Sequence, residues 1–259
     1  MPAPTPAEES FELYNTLLRT IPGDKEAVQR ILWQSRKLER QLPTDFRVRV
    51  VLARALATAE EPSEALSAVE RIGELWKGQD YDPIVSFLWV LLGLWDLERA
   101  KKIVNSLLQV PSLHTDIHVI EYGVRCAVAL GDREWLASLA NLEKVISDFH
   151  DAEDALNVVK ESGLGEHFQN HQQLVRENVA GKACFTAHAV VGKEDDAPMI
   201  TANIFAAADR KECRRIENEI SESLATYYES KGLPPGVYIP YFTTIISPLA
   251  TAAPASAAA

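Results

Sequence analysis

Six histidines, three cysteines and a few arginines set beside aromatic residues are what this 259-residue chain offers for chemistry. His167 and His171 stand four apart in "EHFQNHQQ", a spacing that turns two imidazoles to one side of a helix, where a metal could sit. His150, Asp151, Glu153 and Asp154 are close enough in sequence to add a ligand. No glutamate base lies between the histidines and no third ligand is specified, so the ordinary reading of the pair is a solvated polar face. A metal-dependent enzyme using His167 and His171 is the alternative. His114 and His118 repeat the spacing but straddle "TD", which reads as a helix cap and parts them. His188 falls in a β-rich run, where a hydrogen bond to a neighbour is the usual arrangement, and "EDD" at 194–196 could hold a cation or simply face water. Cys126, Cys184 and Cys213 occupy apolar positions without CxxC spacing, so they read as core thiols in a reducing compartment. There is no phosphate loop, dinucleotide fingerprint, serine elbow or zinc-protease motif. No cofactor is expected and catalytic residues are not assigned.

Charge and composition narrow the classes further. Lys and Arg number 26 against 37 Asp and Glu, a net charge of −11, which repels phosphate backbones and makes nucleic acid the weakest choice of partner. With 47% apolar residues the chain can bury a sizeable core. No apolar run is long enough to span a bilayer, and "MPAPTPAEES" has neither a basic nor an apolar signal region. A cytoplasmic protein without membrane association is the expectation. Both ends are low-complexity, so 1–7 and 250–259 are expected to be disordered tails.

Whatever chemistry exists must be positioned by helices. Ala27, Ala65, Ala100 and Trp135 recur at intervals of 38, 35 and 35, and other positions keep the same phase. Four residues on stand Ile31, Val69, Val104 and Leu139; thirteen before stand Tyr14, Leu52, Phe87 and Tyr122; nine before stand Leu18, Leu56, Leu91 and Cys126. An apolar stripe on two consecutive helices in every period follows. "PGDKEA", "EEPSEA", "LWDLERA" and "LGDREW" put Gly, Pro, Asp or Ser just before each second helix, where caps satisfy free N–H groups. The units are helical hairpins over 8–42, 45–79, 82–110 and 116–149.

With these small anchors and this period, residues 8–149 resemble a degenerate tetratricopeptide repeat, whose units run about 34 residues. The resemblance implies a helical solenoid in which Ala53, Gly123, Ala27, Ala65 and Ala100 mark close helix crossings. It also implies a concave face formed by the first helices. Family contact positions then fall on Arg47, Val50 and Arg54, on Val85, Trp89 and Leu92, and on Ile120, Val124 and Ala127. Two arginines beside an aromatic and aliphatic strip suit a peptide carrying a carboxylate and apolar anchors. The strip either receives a partner or is covered by the chain's own C-terminal part.

The phase is lost at 150. Helices at 151–161 and 166–180 would cap the array over 150–181. "ACFTAHAVV" and "PMITANIFAA" read as a hairpin, "DRKECRRIENEISESLATYYESKG" as a helix capped by Asp209, and "VYIPYFTTII" as a third strand with Pro240 at an edge. This ββαβ unit, 182–249, is too small to stand alone, so it leans on the helices or dimerises through its sheet. The fold class expected is α+β, mainly α: about four hairpins plus capping helices, then ββαβ. The function expected is an adaptor or regulatory protein binding a partner protein or peptide through Arg47, Val50, Arg54, Val85, Trp89, Leu92 and Val124. A purely structural homo-oligomer is a third class.

Overall fold

In the computed structural model, residues 5–20, 24–146, 150–193, 196–234 and 236–249 are described. The helices follow the turn chemistry. α1 (Pro6–Arg19) and α2 (Lys25–Gln41) are followed by α3 (Phe46–Thr58), α4 (Pro62–Ile72), α5 (Tyr81–Gly93), α6 (Leu97–Leu108), α7 (Ile117–Leu130) and α8 (Arg133–Ile146). Asp24, Asp45, Asp116 and Asp132 each accept a backbone N–H three residues on, from Ala27, Val48, Val119 and Trp135. α4 starts instead on Pro62, which needs no N–H partner there. Within the stretch 1–7 assigned to a tail by composition, residues 6 and 7 belong to α1 and Thr5 is its N-cap. Thr5 and Glu8 form a reciprocal capping box ahead of Pro6, and that local bonding outweighs the low complexity around it.

Two rows result. The odd-numbered helices α1, α3, α5, α7 and α9 (Asp151–Glu161) pack on one another in series, while α2, α6 and α8 pack on both odd-numbered neighbours that flank them in sequence and α4 packs on α3. Where helices cross, Ala53, Ala65, Ala100 and Gly123 are fully buried or nearly so. A Cβ at Gly123 would stand 3.1 Å from the Leu139 side chain and 3.3 Å from that of Val104, so α7 approaches α6 and α8 closely because that side chain is missing. α10 (Phe168–Val179) packs on α7 and on α11 (Arg210–Ser230).

The remainder is a three-stranded sheet in the order β1 (Ala183–Lys193), β2 (Asp196–Ala206), β3 (Phe242–Pro248). β1 and β2 are antiparallel, with Phe185 opposite Phe205 and His188 opposite Ala202; β3 runs parallel to β2, with Ile200 opposite Phe242. The parallel pair requires a crossover, which α11 supplies. Residues 237–241, expected as the start of the third strand, instead form turns, with Ile239 and Tyr241 N–H groups bonded to Gly236 and Tyr238 carbonyls. Pro240 therefore lies before the strand rather than on its edge, consistent with its having no N–H to give a ladder. Thr186, His188, Ile200, Ala202, Ile204, Phe242 and Ile246 alternate onto the buried face. A single apolar cluster runs from Leu13 and Leu17 of α1 to Phe242 and Ile246 of β3. The molecule is thus mainly helical with a small sheet, and the sheet shares the helices' core.

Candidate functional site

Three histidine readings resolve at once. His171 is buried, and its Nδ1 lies 3.0 Å from the Tyr228 hydroxyl, with the rings of Tyr238 and Phe242 at 5.2 and 4.9 Å. His167 Nδ1 lies 3.0 Å from the Tyr227 hydroxyl. The pair fastens α10 to two successive tyrosines of α11 instead of converging, and burial alone pulls His171 down to about 4, so it is a neutral ring in an aromatic box. Among the described residues no group of three metal-binding side chains comes together. His114 contacts the Leu108 carbonyl and His118 faces Glu121, on either side of the Asp116 cap.

His188 departs from expectation. It is buried on β1 beside the Trp95 indole, ring centres 5.4 Å apart, and its Nε2 has no hydrogen-bond partner. Burial, aided by the nearby Arg125 charge, holds it down to about 4, so it stays neutral. Glu194 and Asp195 lie outside the described residues. The three cysteines are buried free thiols; burial raises all three, Cys184 to about 12, which makes them poor nucleophiles.

The strip expected to line a groove divides into two. Val50, Leu92 and Val124 are 1%, 9% and 3% exposed, and Ile120 and Ala127 are fully buried. These positions hold the helices to one another and to the sheet, so the expectation that Val50, Leu92 and Val124 touch a partner is corrected. β1 is the cover: it packs across α3, α5 and α7. The strand backbone lies directly against α5 at Gly93, where a Cβ would be in ordinary van der Waals contact with the Cys184 carbonyl and the Phe185 backbone. The Trp95 indole N–H donates to the Thr186 hydroxyl.

Arg47, Arg54, Val85 and Trp89 remain half-buried at the margin of that cover. The Arg54 guanidinium lies over the Trp89 ring at 4.0 Å, and Trp89 meets Phe185 with ring centres 3.8 Å apart. Burial lowers Arg54 from its ordinary value, opposed by the Tyr14 and Tyr122 hydroxyls nearby. Arg47 lies over Phe11, whose ring is 53% exposed. Neither arginine has a carboxylate partner among the described residues, whereas Arg36, Arg71, Arg99 and Arg215 all do. The Trp89–Phe185 contact could not be read from sequence spacing, because its partners are 96 positions apart.

A second concavity, about 960 Å³, opens between α6, the α7–α8 turn, α9 and α10. Its walls mix Glu98, Asp132, Glu134 and Glu166 with Lys101, Arg133 and Lys160. Lys101 and Asp132 are already paired at 2.6 Å, and the balanced lining selects no ligand charge. No helix among the described residues is long and apolar enough to cross a membrane. Set against known proteins, the chain matches no family model, no curated protein and no solved structure.

Proposed function

We propose that this chain is a protein-interaction module, an adaptor or regulator, built on a tetratricopeptide-like array of helical hairpins and binding its partner along the first-helix side. The observation that carries this reading is the margin left by β1: Arg47 and Arg54 stand unpaired, Arg54 over Trp89, in a chain of net charge −11. An arginine kept half-desolvated without a carboxylate is costly unless a bound group repays it. The contact surface is therefore Arg47, Arg54, Val85 and Trp89 together with Phe185, and the aliphatic positions beneath only support it. No observation favours the metal-dependent alternative, since both of its histidines are occupied by tyrosines.

Affinity capture from native lysate with the wild type and an Arg47→Glu/Arg54→Glu/Trp89→Ala variant of equal helicity tests the reading. A stoichiometric partner lost by the variant is the expected result; a partner held equally by both would move the interface elsewhere.

A further inference from the structure

The unpaired cations extend beyond Arg47 and Arg54. Arg125 on α7 lies over the Tyr122 ring at 6.0 Å and has no ion pair among the described residues. Tyr122 is influenced by both Arg125 and Arg54, and Tyr14 on α1 by both Arg54 and Arg47. These shared influences run in sequence from Arg47 through Tyr14, Arg54 and Tyr122 to Arg125, so the three guanidinium groups and the aromatic rings form one neighbourhood across α1, α3, α5 and α7. Tyr14 is fixed by its hydroxyl's bond to Ser86. The acids in the vicinity form no ion pair with it among the described residues: Glu121 faces His118, Asp151 of α9 feels the Arg125 charge without bonding it, and Asp82 bonds none of the three arginines.

We infer that this strip binds an extended acidic peptide segment of the partner, through carboxylates spaced three residues apart. The inference rests on the interaction reading above and names the chemistry of what is bound. A guanidinium with one face on an aromatic ring keeps its in-plane N–H groups for a planar two-oxygen acceptor, which a carboxylate matches. Arg47 and Arg54 are two helical turns apart, about 10 Å along α3. A peptide in the polyproline II conformation brings a side chain back to the same side every third residue, about 9 Å further on. Two glutamates at that interval meet the two arginines in register, and Arg125 receives a further acid. Because the rest of the protein is acidic, such a peptide is attracted only locally, and binding weakens with salt.

The test is a titration of the full chain with a fluorescein-labelled Pro/Gly/Ser peptide carrying two glutamates three residues apart, followed by anisotropy. The glutamine counterpart is expected to bind at least tenfold more weakly, as is the glutamate peptide to Arg54→Gln. Arg54→Lys, which keeps the charge without the fork, should lose severalfold, and Arg30→Gln, an exposed arginine on α2, should lose nothing. Should Arg54→Gln unfold, Arg47→Gln and Arg125→Gln carry the same test with severalfold losses. Equal binding of the glutamate and glutamine peptides overturns the inference, and so does tenfold tighter binding of a phosphoserine counterpart, which would make the ligand a phosphate. If the peptide fails while the triple variant still loses its captured partner, only the acidic-segment assignment falls. If the partner is also retained, the assignment of the interface to this side of the helices falls with it.

Discussion

Arg54 and Glu143 show how one buried charge can serve different ends. Arg54, over the Trp89 ring, has no carboxylate partner among the described residues, and the proposed ligand would supply one. Glu143 of α8 is buried, and its carboxylate accepts the Ala152 N–H at the start of α9, so it ties two helices together. Burial is the larger influence on it and, with Asp151 nearby, raises it from 4.5 to about 7 despite that hydrogen bond. A carboxyl raised on folding contributes its full stability below the unfolded value and loses it as the pH climbs through the folded one. Glu143→Gln, which keeps the acceptor and removes the titration, should match the wild type near pH 5. By pH 8 it should be more stable by about 2 kcal/mol, measured by urea denaturation at both pH values.

At the scale of elements, close approach decides more than propensity. Gly131 ends α7 in the left-handed conformation, φ 67°, a familiar role for glycine after a helix. The stronger constraint comes from α10: a Cβ at Gly131 would stand 2.5 Å from the Gln169 Cα and 2.7 Å from the Phe168 carbonyl oxygen. Those atoms are backbone and cannot rotate aside. Gly131→Ala should therefore destabilise the fold by roughly 3 kcal/mol or more, beyond the cost of the turn alone. Gly163, also at positive φ but with nothing within 4 Å of a Cβ, is the control: Gly163→Ala should cost only about 1 kcal/mol in thermal or chemical unfolding.

For the whole molecule the relevant fact is that β1 closes the inner row. Trp89, Gly93 and Trp95 on the helical side meet Phe185, Cys184 and Thr186 on the strand, and His171 and Phe168 of α10 meet Phe242 of β3. Among the described residues helices and sheet share one apolar cluster, so unfolding should be a single transition with equal calorimetric and van't Hoff enthalpies. A chain ending at Lys182 should lose that cooperativity and expose its apolar inner row, seen as dye binding and a broadened melt. A sharp, wild-type-like melt of the shortened chain would show instead that the helical array stands by itself.

The positions of the helices and the identity of the strands were legible in the sequence, because caps and apolar periodicity act over three or four residues. Asp24, Asp116 and Asp132 cap where their neighbours said they would, and the buried stripe of Cys213, Ile216, Ile220, Leu224 and Tyr228 on α11 follows from its spacing. Arg54 and Trp89 were legible as candidates from the contact positions that the tetratricopeptide resemblance implied. What only the tertiary structure decided was which candidates face outward. Val50, Leu92 and Val124 are apolar in either role, and their burial depends on a strand more than fifty residues away in the chain. Likewise the His167 and His171 pair has metal spacing on its own helix, but Tyr227 and Tyr228 arrive from another helix and occupy both rings. Local bonding is written in neighbouring residues; occupancy of a face depends on what the rest of the chain brings to it.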